Sequence, residues 1–184
     1  MIYYFFMLYC IPSDALTSIP AAEEFTEAYY NALCSSRDTL WRFYVDREIL
    51  PDGHKIPSID WNGHDYDDSP DFIVMFQEEM PFTYYDIQNL DCHVINPNYS
   101  TESGKRATDK EKTMSLMIMV SGVLRLEERN GGPQRQFAES FTVVPNVDKD
   151  GKGRGSKKYQ WLIQSQNFRY VICKSDLPSW ARTG

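Results

Sequence analysis

Hydrophobic and polar positions alternate most cleanly between Thr113 and Glu128, and the alternation predicts a long strand. Asn130, Gly131, Gly132 and Pro133 break it, and Gln136 to Val144 read as the returning strand of a hairpin. Met114, Leu116, Ile118, Val120, Leu124 and Leu126 fall on even positions and, with Gly122, form one face, because successive side chains of a strand point to opposite sides. The odd positions are Thr113, Ser115, Met117, Met119, Ser121, Val123 and Arg125. Thioethers and a valine among small hydroxyls do not suit open water. They suit a flat surface that docks on another protein, or a face covered by a helix or loop of the same chain.

The remaining elements follow from period and punctuation. Ala22, Phe25, Tyr29, Ala32 and Leu33 recur at helical spacing, with Pro20 and the acidic pair Glu23 and Glu24 suited to a first turn, so residues 20–35 read as a helix. Ser35 or Ser36 can cap a second short helix running through Phe43. Ile56 to Trp61 reads as a strand ending at the tight Asn62-Gly63 turn. Ser69, Pro70 and Asp71 open a third helix that reaches Met80 and carries Phe72, Ile73 and Phe76 on one side. Phe82 to Ile95 and Tyr159 to Ile172 read as further strands, the first with a bulge near Asn89. Residues 96–112 and 145–158 are polar loops. Short helices first and long antiparallel strands afterwards indicate an α+β domain with helices on one sheet face. The expected organisation is an apolar N-terminal extension at 1–19, one domain at 20–174 and a tail at 175–184.

Composition narrows the function classes. The chain has 184 residues with 12 Tyr, 10 Phe and 4 Trp, a folded composition large enough for one substantial core. Its net charge of -7 argues against nucleic-acid binding over the whole surface. Cys10, Cys34, Cys92 and Cys173 are widely spaced with no CxxC pair, so neither a zinc site nor a disulfide scaffold is indicated and buried free thiols are expected. The run at 1–11 is too short to cross a membrane as a helix and lacks the basic leading region of a signal peptide. It reads as an accessory segment packed on the domain or as a misassigned start of translation.

Three groups of residues bear on chemistry. Asp60, His64, Asp65 and Tyr66 flank one hairpin, and Asp91 and His93 share a strand face. These are the candidates for an acid–base site, but they occupy turn and wet-face positions where polar residues are ordinary. No nucleophile elbow, phosphate loop or HExxH is present, and no cofactor or metal is indicated. The second group is the loop carrying Lys149, Lys152, Arg154, Lys157 and Lys158, a candidate contact for RNA phosphates without sequence reading. The third is the odd face of the hairpin. Met117, Met119, Ser121 and Val123, with Ser140 and Thr142 and then Leu162 and Gln164 on neighbouring strands, make a candidate protein-binding surface.

The order of the segments AAEEFTEAYYNAL, Trp61-Asn62-Gly63, TYYDIQNLDCHVI, MVSGVLRL, QRQFAESFTVV and WLIQSQNFRYV resembles the small partner subunits of heterodimeric messenger-RNA export receptors. Those subunits belong to the superfamily named after nuclear transport factor two. The resemblance covers residues 20–172 and departs from the family in the apolar leader, an insertion around 45–58 and two longer loops. It implies a cone-shaped fold in which a strongly bent antiparallel sheet wraps three helices. It further implies a non-enzymatic subunit of the nucleus and nuclear pore, shuttling to the cytoplasm. Such a subunit pairs sheet to sheet with a matching domain of a large subunit, and phenylalanine-glycine nucleoporins are further partners the resemblance suggests. In that family an arginine of the closing motif meets an aspartate of the partner, and the matching residue here is Arg169. The alternatives are a homodimeric transport factor carrying a small GTPase, and an isomerase or dehydratase using the pocket of the cone.

Overall fold

The computed structural model describes residues 13–99, 113–146 and 158–171, with side chains from Ser18 onward. Helix α1 spans Ser13–Ser35, and a 3-10 helix at Arg37–Phe43 follows. Short strands β1 (Glu48–Ile49) and β2 (Lys55–Ile56) pair with each other and form the insertion. Strands β3 (Ser58–Trp61) and β4 (His64–Tyr66), helix α2 (Ser69–Glu78) and long strands β5 (Thr83–Asn96), β6 (Ser115–Leu126), β7 (Gln134–Pro145) and β8 (Trp161–Val171) complete it. The last six strands form one sheet in the order β4-β3-β8-β7-β6-β5.

The expected helical face of α1 is the one that packs: Ala22, Phe25, Tyr29, Ala32 and Leu33 are buried, and Tyr30 joins them. The helix starts before Pro20, so the expected boundary between residues 19 and 20 falls inside it. A proline forfeits one backbone bond, but tertiary contact holds this stretch. Ser18 is buried, and its carbonyl oxygen accepts from the Cys92 thiol at 3.7 Å. Cys34 and Cys92 are unpaired and half-buried; Cys10 and Cys173 lie outside the described residues.

Three expectations are corrected. Pro57, with no N–H for a ladder, divides the expected 56–61 strand into β2 and β3. Ser69 reads as the cap of the third helix from sequence, but the N-cap of α2 is Asp68, whose carboxylate accepts from Asp71 N, with Ser69 and Pro70 inside the first turn. The sheet is mixed, because β3 runs parallel to β8 while every other neighbouring pair is antiparallel. Asn62 and Gly63, with φ of 52° and 89°, turn the chain from β3 into β4 as that dipeptide predicts.

Register fixes the two faces. Leu116, Ile118, Val120 and Leu124 of β6 are buried with Phe137, Phe141 and Val143 of β7 and Ile163 and Phe168 of β8. The helices pack on this side, and Trp61 stacks on Phe168 at 3.8 Å between ring centres. The ladder shifts register at Ile87/Asn89, Val94/Asn96 and Thr142/Val143, the kind of irregularity that bends a sheet. Gly122 meets the first of these shifts. A Cβ there would lie 2.2 Å from the Asp86 carbonyl oxygen, so only glycine lets β5 cross so closely. Arg37 ties α1 to α2 and to the turn before β5 by donating to Leu33 O at 3.0 Å and to Phe76 O, Met80 O and Pro81 O at 2.6 Å each.

Candidate partner-binding face

The outer side of the sheet is built from cross-strand rows. One runs His93, Met117, Thr142 and Ser165; the next runs Asp91, Met119, Ser140, Asn167, Asp60 and Asp65; a third runs Asn89, Ser121, Ala138 and Arg169. Met117 is 37% exposed, and Met119, Ser121, Ser140 and Thr142 are half-buried. Small side chains in the middle rows leave a hollow of about 420 Å³, floored by Met119, Ser121, Ala138 and Ser140 and flanked by Asn89 and Asp91 on one side and Asn167 and Arg169 on the other. Among the described residues, the helices join the core on the opposite side of the sheet.

Two residues expected on this face are already covered within the chain. Val123 is buried at 7% and Leu162 at 8%, and neither belongs to the main core. Val123 stands opposite Asp86 and Gln136, and Leu162 opposite Val144, which is also buried. Alternation places both on the outer side of the sheet but carries no information about their cover. Gln164 sits half-buried at the register shift of β8.

Arg169 finds its carboxylate inside this chain. Its two terminal nitrogens donate to the two oxygens of Asp60, a fork-to-fork arrangement. The hydrogen bonds from Arg169 hold the Asp60 carboxyl below its ordinary value, burial opposes them, and the Gly63 N–H at 3.0 Å assists. The pair is partly wet, with side-chain exposures of 44% for Arg169 and 22% for Asp60.

The acid–base candidates do not converge. Asp60 is spent on Arg169, and Asp65 is exposed beside it. His64 is exposed and packs edge-on to the Tyr66 ring. Asp91 and His93 are exposed on the outer face, 3.3 Å apart. The interior instead holds a cluster that sequence reasoning missed. Glu139 of β7 is 3% exposed, accepts from Tyr30 Oη at 2.5 Å and from Gln166 Nε2 at 2.7 Å, and connects through Gln166 to Tyr29 and Tyr44. Burial pushes its carboxyl up to about 8 against the two hydrogen bonds, and burial likewise raises the phenols of Tyr29, Tyr30 and Tyr44 well above their ordinary value. The signal was present in QRQFAESF, where a glutamate occupies an inward slot between two phenylalanines.

Of the basic loop, Lys149, Lys152, Arg154 and Lys157 lie outside the described residues. Lys158 is anchored, 17% exposed, with its ammonium donating to Asp46 at 2.6 Å.

The family model of the nuclear transport factor 2 (NTF2) domain matches residues 21–152. The chain belongs to that family. This NTF2 domain is similar to NTF2-related export protein 2 of Mus musculus, 25% identical over 150 residues that span 82% of this chain and 84% of the relative. A chain in the structure of the Chaetomium thermophilum Mex67 NTF2-like domain complexed with Mtr2 matches it with a TM-score of 0.66 at 23% identity, covering 84% of this chain and 99% of that one. A candidate scytalone dehydratase of Novosphingobium aromaticivorans matches with a TM-score of 0.53 at 12% identity, covering 84% of each chain. These structural likenesses speak to the NTF2-like fold, and function must come from the site.

Proposed function

We propose that this NTF2 domain is the small, non-enzymatic subunit of a heterodimeric nuclear mRNA export receptor. It binds the matching NTF2-like domain of a large subunit through its outer sheet face, stabilises that domain, and helps the pair take ribonucleoprotein cargo through the nuclear pore. The observation that carries this reading is the uncovered hollow between Met119, Ala138 and Ser140, rimmed by polar groups. An apolar centre with a polar rim is the anatomy of a protein interface. Support also comes from the export protein of Mus musculus and from the Chaetomium thermophilum structure, in which Mtr2 is complexed with an NTF2-like domain. The partner-facing residues are then Met117, Met119, Ser121, Ser140 and Thr142, with Arg169 at the rim.

The non-enzymatic reading is supported by the placement of Asp60, Asp91 and His93 on the outer face and by the closed packing around Glu139. Affinity purification of the full chain from its own cells, with mass spectrometry, tests the proposal. A stoichiometric larger protein containing an NTF2-like domain, lost on Met119→Lys, is the expected result. A stable homodimer indifferent to that change would overturn it in favour of a homodimeric carrier. Turnover of a small molecule, lost on Glu139→Gln, would overturn it in favour of an enzyme.

A further inference from the structure

The outer face has a charge pattern that sheet-to-sheet pairing alone does not explain. Asp91, opposite Met119, lines the hollow, and farther out on the same face Asp86 stands opposite Val123 and Asp60 opposite both Asn167 and Asp65. Against these four carboxylates the same face carries Arg169, in the row of Ala138 and Ser121, and Arg125, one row beyond Asp86 and away from the hollow. Arg169 is already engaged. Its fork is filled by Asp60, a further N–H reaches Phe168 O at 3.2 Å, and Asp65 adds negative charge beside it. A carboxylate arriving from a partner would therefore meet a neutralised arginine with Asp91 across the hollow, not a free guanidinium.

Asp91 is in the opposite condition. It lines the hollow, its side chain is 63% exposed, and its protein contacts are Cys92 N at 2.9 Å and His93 Nε2 at 3.3 Å. Between Asp91 and Arg169 the floor consists of the Met119 thioether, Ala138 and small hydroxyls. A methylene stem suits that floor, and a cationic head suits its acidic wall.

We propose that the hollow receives a lysine or arginine side chain of the facing domain, with its stem on Met119 and Ala138 and its charged head at Asp91. The inference rests on the heterodimeric reading and adds to it the chemistry of the partner. It also accounts for a hetero- rather than homodimer. A two-fold interface between copies sets the same patch against itself, and here that would press together two faces on which carboxylates outnumber cations, which disfavours association. At about 420 Å³ the hollow holds one long side chain with bridging water.

The test uses the full chain and the large subunit identified by its co-purification, with dissociation constants measured at low and high salt. Asp91→Lys is expected to weaken binding at least ~10-fold, the scale of a reversed close charge pair. Asp91→Asn, which keeps the shape, is expected to weaken it less and to flatten its salt dependence. Glu78→Lys, an exposed charge on α2, should change binding less than ~2-fold, as expected for a charge far from the interface. Unchanged thermal melting of the free variants separates lost contact from lost fold. If Asp91→Lys binds as tightly as the wild type while Met119→Lys does not bind, the pairing stands and the cation assignment is wrong. If no large subunit is found and the chain self-associates through this face, both readings fail.

Discussion

Arg169 and Asp60 clasp β8 to β3 through two parallel side-chain hydrogen bonds, across the parallel junction of an otherwise antiparallel sheet. Asp60 titrates below its ordinary value chiefly because of those bonds. A carboxyl held low in the folded chain contributes stability that is present above its unfolded pKa and lost as pH falls through the folded one. Wild type should therefore lose more stability than Asp60→Asn on acidification below about pH 4, where an unfolded aspartate takes up its proton. Urea midpoints across that range check this, and equal acid slopes would contradict it.

Glu139 titrates in the other direction. The folded chain keeps its proton to about pH 8, against an ordinary value of 4.5. Between those values the folded state binds more protons than the unfolded one, so stability falls as pH rises through the window. Glu139→Gln removes this titration while keeping a polar group opposite Tyr30 and Gln166. The variant is expected to gain on the wild type steadily between about pH 5 and pH 8 and to run parallel outside that range. Urea melts of both proteins at closely spaced pH values measure the difference directly.

The two clusters mark where sequence reading stopped. Alternation in β6, the helical face of α1, the Asn62-Gly63 turn and the bulge near Asn89 are local patterns, and the structure reproduces them. Glu139 meets Tyr30 across 109 residues, and Arg169 meets Asp60 across the same separation. No local period reports such a contact, so the sequence by itself marks neither Glu139 as buried nor Asp60 as paired. The parallel β3–β8 pairing was hidden for the same reason. On the candidate face, alternation assigned Met117, Met119, Ser121 and Val123 to one side, but cover depends on neighbours distant in sequence. That is why Val123 and Leu162 turned out to be shielded while Met117 is open.

Arg37 is predicted to be a stability residue. It satisfies main-chain carbonyls in the last turns of α1 and α2 and in the Met80–Pro81 turn that follows, groups that a helix end cannot satisfy by itself. Arg37→Ala should cost about 2–4 kcal/mol, since each hydrogen bond from a charged group is worth roughly 1.5–3 kcal/mol and water replaces part of the loss. Arg37→Lys should recover only part of it, because an ammonium lacks the planar fork. Chemical denaturation reads both, and a neutral Arg37→Ala would refute the assignment.

Gly122→Ala tests the close crossing of β5 over β6. The added methyl would strike the Asp86 carbonyl oxygen and the backbone at Ile87. Because the obstacle is main chain, a loss of about 1–3 kcal/mol is expected. A thermal shift assay detects a change of that size, and a stabilised variant would show that the bulge relaxes freely.

Hydroxyl-radical footprinting of Met117 and Met119 tests the central claim most directly. In the free chain both thioethers lie on the open outer face, whereas Trp41 and Phe82 are exposed on other elements, at 40% and 68%. Binding of the large subunit should suppress oxidation of the two methionines several-fold and leave Trp41 and Phe82 unchanged. Equal oxidation of Met117 and Met119 in the free chain and in the complex would contradict a partner seated on this face.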